Sequence, residues 1–154
     1  MQVNGRLLLI DFGLAIRFKD ALGNHEALTV TPNMFSGTPI YASIWTHDGL
    51  SSSRRSDLES LGYTILQLCL ESGLPWANLP GASKKKMKTI RAEIHDSKKQ
   101  HSMVSLCRAL PLPVARAFCN YFQSVRLLGH EEKPDCEPVH MYHQNSPKRA
   151  HHAI

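Results

Sequence analysis

The chain has 154 residues, 42% of them hydrophobic and 20% charged, and a formal net charge of +5; this is the composition of one ordinary globular domain, large enough to bury a core. Its four cysteines (Cys69, Cys107, Cys119, Cys136) include no C-x-x-C pair, which argues against a zinc site or a disulfide framework. The first six residues lack the apolar region of a signal peptide, and no run approaches the roughly 18 apolar residues of a membrane span, so a nuclear or cytoplasmic protein with no membrane partner is expected.

Residues 7–10 (Leu-Leu-Leu-Ile) read as a short buried strand between the hairpin signal Asn4-Gly5 and Asp11-Phe12-Gly13. A partner strand ahead of Asn4-Gly5 would need residues that the chain does not have, so an open edge is expected there. Residues 18–36 show no sustained period and contain Gly23-Asn24 and Pro32-Asn33; they read as a long loop. Gly37-Thr38-Pro39-Ile40-Tyr41 follows it. After Ser51-Ser52-Ser53 a helix begins that Ser56 or Asp57 can cap. From 58 to 70, Leu58, Leu61, Tyr63, Ile65, Leu66, Leu68, Cys69 and Leu70 fall on almost every face, the pattern of a central helix buried all round. Gly73 ends it, and Pro75-Trp76 opens a turn in which Trp76 reads as a packing anchor.

A second helix is predicted from Ser83 to about Ile94, with Met87, Ile90 and Ile94 on one face. The region 84–99 carries Lys84, Lys85, Lys86, Lys88, Arg91, Lys98 and Lys99 against Glu93 and Asp96, which equals the charge imbalance of the whole chain. Such a stretch is either a solvated helix face or a patch for an acidic or phosphorylated partner or nucleic acid, although no aromatic residues interleave the lysines. A third helix starts near Pro113, where Val114, Ala117, Phe118, Tyr121, Phe122 and Val125 keep helical spacing. Residues 136–154, with Pro138, Ser146-Pro147 and four of the nine histidines, read as a disordered tail.

Asp11-Phe12-Gly13 behind an apolar run resembles the metal-binding motif of protein kinases. Four further segments keep that order and spacing: Gly37-Thr38-Pro39-Ile40-Tyr41-Ala42-Ser43-Ile44, Thr46-His47-Asp48-Gly49 with Ser53 to Tyr63, Gly73-Leu74-Pro75-Trp76, and Leu127-Leu128-Gly129-His130-Glu131-Glu132-Lys133-Pro134. Ala42-Ser43-Ile44 in place of Ala-Pro-Glu resembles the casein kinase I superfamily. The last segment, with Gly23-Asn24-His25, is similar to its vaccinia-related kinase branch. The resemblance implies a mainly α fold over residues 2–135: a partial kinase C-terminal lobe, made of an activation segment and three helices, with a short β element at its start.

The same resemblance implies roles for particular residues. Asp11 would bind the magnesium ion carried by ATP, with Gly13 letting the chain turn. Thr38 would hydrogen-bond the catalytic base, Gly37, Thr38 and Tyr41 would shape the substrate groove, and Asp57 would hold amides of the catalytic loop. Lys84, Lys85, Lys86 and Lys88 would form an anion patch, but Ile40 replaces an arginine of casein kinases I and weakens that reading. Complete members use ATP and magnesium and act on Ser or Thr of protein substrates. The Gly-rich loop, the phosphate-pairing lysine, the catalytic Asp and the second metal-binding Asn have no counterpart here. The chain by itself is therefore expected to be inactive and to bind no cofactor. The alternative is a pseudokinase-like binding module that uses the basic surface at 84–99.

Overall fold

Two helices of sixteen residues, α2 (Arg54–Cys69) and α5 (Leu112–Leu127), make the most extensive helix–helix packing in the fold. The computed structural model describes residues 2–3, 6–7, 9–31, 35–79 and 85–135. In chain order these form β1 (Gln2–Val3), β2 (Arg6–Leu7), α1 (Ile44–His47), α2, α3 (Met87–Gln100), α4 (Met103–Cys107) and α5. The fold is mainly α, as expected, with one two-stranded antiparallel ribbon pairing Gln2 with Leu7 and Val3 with Arg6. No described helix is long and apolar enough to cross a membrane.

Tyr63, Leu66, Leu74, Trp76, Ile94, Leu106, Cys107 and Phe122 form the buried cluster, with Tyr41, Leu70, Phe118 and Tyr121 packed around it. Aromatic edges organise its centre: Tyr63 meets Trp76 at 5.4 Å and Phe122 at 5.1 Å between ring centroids. These are the separations at which offset and edge-on ring pairs attract.

The structure departs from the sequence reading in several places. The expected strand over 7–10 ends at Leu7, and Leu9 and Ile10 are exposed. Its partner is Gln2–Val3, so the turn needed only two residues ahead of it. α2 starts at Arg54 with Ser53 as its cap residue, not Ser56 or Asp57; Ser53 is extended (φ −151°) and makes no side-chain cap bond. The same helix is not buried all round. Ser56, Glu59, Gly62, Tyr63 and Leu66 are buried, while Leu61, Ile65 and Leu68 are exposed, because the neighbouring helices cover only one side of it.

α3 runs from Met87 to Gln100 rather than from Ser83 to Ile94, and residue 83 lies outside the described part. The Ile90–Ile94 stripe continues four residues on to Lys98, which is fully buried, so the core-facing side was longer than its apolar residues indicated. α5 begins at Leu112, with Pro113 at its second position. On that helix Phe122 and Val125 are buried while Val114 and Ala117 face solvent. Five helices rather than three are present among the described residues, since α1 and α4 are single turns too short to show a period. Both start at a serine: Ser43 accepts from Thr46 N and Ser102 from Ser105 N. The region 136–154 lies outside the described residues.

Gly62 lies where α2 and α5 meet. A Cβ built there would stand 2.8 Å from both Phe122 Cζ and Tyr121 Cε1. Exposed helix positions gain up to about 1 kcal/mol when glycine becomes alanine, whereas overpacking a core costs roughly 1–3 kcal/mol. We expect Gly62→Ala to lower the urea midpoint. A rise would mean that the two rings swing aside without loss.

Candidate functional site

The loop 37–43 is short of backbone partners and is instead held from below by side chains. Gly37 has φ +91°, a left-handed conformation that favours glycine, and turns the chain into Thr38. The Thr38 carbonyl accepts from Tyr41 N and Ala42 N, which curls the loop into a single turn. The carbonyls facing inward are taken by three side chains. Lys98 Nζ donates to Pro39 O at 3.0 Å and to Ala42 O at 2.6 Å, Trp76 Nε1 donates to Ile40 O at 2.9 Å, and His47 Nε2 lies 3.0 Å from Pro39 O.

The loop then enters α1, whose first amide is held by a carboxylate from α2. Glu59 Oε2 accepts from Ile44 N at 3.0 Å. Its other oxygen accepts from the Tyr63 hydroxyl at 2.9 Å and from Arg126 Nε at 3.2 Å, and Arg126 Nη2 donates to Tyr63 Oη at 3.0 Å. Glu59 is wholly buried, so this set of donors is what makes a carboxylate tolerable there. Burial, reinforced by the Glu59 charge, pushes the Tyr63 phenol well above its ordinary range.

His47 of α1 stacks on His95 at 5.2 Å, Lys99 Nζ donates to Asp48 Oδ1 at 3.1 Å, and His95 Nε2 lies 3.1 Å from the same oxygen without a hydrogen bond. Burial, then the nearby Lys98 charge, lowers the His47 pKa to about 4, so this imidazole is neutral at physiological pH. Burial lowers that of Lys98 to about 7, with Glu59 acting in the opposite direction.

Above the loop lies an open cleft of about 1070 Å³, lined in part by Gly13, Gly37, Thr38, Tyr41 and Asp57. Five residues singled out in the sequence thus border one cavity. Asp57 sits in the first turn of α2, exposed towards the cleft, and the protein mass around it raises its carboxyl pKa. Asp11 is not on this wall. It is exposed, has φ +64°, and its Oδ1 accepts from Gly13 N at 3.2 Å in a local turn. Among the described residues no three His, Cys, Asp or Glu side chains gather as metal ligands. Trp76 is only 1% exposed and lies under the loop rather than in the cleft.

The basic stretch is distributed differently from a continuous surface patch. Lys98 is buried, Lys85 pairs with Glu93 at 2.7 Å, Lys99 pairs with Asp48, and Arg91 lies over the Phe35 ring at 4.9 Å. Lys86 and Lys88 are exposed at the start of α3, and Lys84 lies outside the described residues. Sequence reasoning missed Glu59, Lys98 and Arg126. The available signal was register: Glu59 is four residues before Tyr63 on the same face, and Lys98 is in step with Ile90 and Ile94.

No protein-family model matches the chain. Over 130 residues it is 38% identical to a protein of Encephalitozoon cuniculi (strain GB-M1) described as a probable casein kinase I homolog. The match covers 84% of this chain and 40% of that relative, so the chain spans about two-fifths of the relative's length.

Proposed function

This chain is casein kinase I-like over most of its length, and we propose that residues 2–135 supply the substrate-facing part of a serine/threonine phosphotransferase. The observation that carries the reading is the held loop 37–43. Its carbonyls are fixed from three elements below, which leaves Thr38 and Tyr41 on the wall of an open cleft of about 1070 Å³. Phosphoryl transfer is governed by positioning and charge stabilisation, so a rigid wall beside the acceptor hydroxyl is a useful part of such a site.

Three contacts support the vaccinia-related branch within this reading. The loop histidine His25 and His130 of the 127–134 segment meet edge-on at 5.1 Å. Arg55 donates to Leu128 O at 3.0 Å, and Arg54 bonds Glu131 O, which ties the 127–134 segment to the start of α2. The two sequence features that suggested the branch are thus one packed unit.

The described residues do not fit magnesium-ATP by themselves. Asp11 is a single exposed carboxylate engaged with its own turn, and magnesium is ordinarily held by carboxylates together with phosphates that the protein already grips. The groups that hold the nucleotide would have to come from other polypeptide. We expect the chain by itself to transfer no phosphate from ATP to an acidic protein acceptor. We also expect millimolar magnesium-ATP to leave its melting temperature unchanged, because a ligand stabilises only above its dissociation constant. A rise in melting temperature that Asp11→Ala abolishes would overturn this. Activity appearing when the chain is joined to upstream sequence carrying a phosphate loop and a catalytic Asp would support the proposal.

A further inference from the structure

We propose that Lys98 is a positioning residue for the substrate wall: reaching up from α3, it fixes the carbonyls on either side of Ile40-Tyr41 and so sets the conformation of residues 38–42. The side chain is completely buried, yet among the described residues it faces no carboxylate within ion-pair distance. Its nitrogen instead donates to two carbonyls, Pro39 O at 3.0 Å and Ala42 O at 2.6 Å, and lies 3.4 Å from His47 Nε2. The remaining directions are closed by ring faces, with Tyr63 at 4.6 Å and Trp76 at 5.5 Å from the nitrogen to the centroids.

A lysine that only filled core space would be replaceable by an apolar residue at no cost to the fold. Removing a buried cation's desolvation penalty is often neutral or stabilising. What an apolar residue cannot supply is the pair of donors under the loop. The carbonyls it serves are 59 and 56 residues away in sequence, and the amides of Tyr41 and Ala42, bonded to Thr38 O, lie directly between them. Loss of Lys98 should therefore weigh more on the loop than on the core: leaving Ala42 O without its donor lowers global stability modestly, offset by the relieved desolvation of the amine, while the loop loosens locally. The meaning of this for a substrate rests on the kinase-like reading above. The test does not, because it reads backbone amides and not phosphate transfer.

The experiment compares Lys98→Met with the unmodified chain by urea denaturation and by hydrogen exchange. The expected result is an unfolding midpoint that is unchanged or slightly lower, with exchange at the Tyr41 and Ala42 amides faster by about ten-fold and the core amides of α2 and α5 faster by no more than the midpoint change accounts for. Unchanged exchange at Tyr41 and Ala42 would overturn the proposal. So would a loss of global stability that accounts for the faster exchange, since Lys98 would then be an ordinary core residue. Should Lys98→Met not fold, the unmodified chain decides by lysine acylation. Labelling of Lys98 at the rate of exposed Lys86 and Lys88 overturns the proposal, and protection of Lys98 that is lost together with Tyr41 and Ala42 amide protection as urea is raised below the global midpoint supports it.

Discussion

Arg126→Ala is expected to cost about 3–5 kcal/mol, the range for removing one partner of a buried ion pair. The asymmetry of the pair is the reason. The Glu59 side chain is 0% exposed and that of Arg126 is 31% exposed, so water reaches the arginine but not the carboxylate. Taking the arginine away leaves a dry carboxylate with, among the described residues, only Ile44 N and the Tyr63 hydroxyl as partners. Burial works against the arginine's charge, but Tyr63 and Glu59 outweigh it and the net shift of its pKa is upward. Glu59→Gln should be milder, because a neutral amide keeps an acceptor for Ile44 N and the arginine can turn outward. In the Arg126→Ala background, Glu59→Gln should recover stability. Additive urea midpoints for the double variant would show that the two side chains are not coupled in this way.

Trp76→Ala should be of similar size, about 3–5 kcal/mol, as for other buried aromatic truncations. The ring lies edge-on to Tyr63, covers the Lys98 nitrogen and supplies the only side-chain donor recorded for Ile40 O among the described residues. Trp76→Phe separates these contributions: it retains most of the packing and leaves Ile40 O without its donor, a loss of roughly 1–3 kcal/mol for a buried orphan. Set against a total stability of roughly 5–15 kcal/mol for an ordinary domain, such a loss is a large fraction of the whole. A Trp76→Ala midpoint within about 1 kcal/mol of the parent would mean that the core collapses around the missing ring.

Local features of the sequence were enough to find α2 and α5, because a helix declares itself through apolar residues three and four apart over several turns. The family resemblance carried the mainly α class, whereas the gathering of Gly13, Gly37, Thr38, Tyr41 and Asp57 along one cavity came from the tertiary structure. Single-turn helices α1 and α4 left no such mark.

What only the tertiary structure decided is which charges belong inside and which apolar faces remain outside. Glu59 and Lys98 read as surface residues because burying a charge is costly, and the groups that offset the cost are far away in the chain: Arg126 lies 67 residues from Glu59, and the Lys98 acceptors lie in a loop that precedes α2. Likewise, Leu61, Ile65 and Leu68 have the composition of a core face and are exposed, since burial depends on which neighbours stand opposite and not on the helix itself. Propensity and period act over about four residues, whereas desolvation is settled by contacts made across the whole fold.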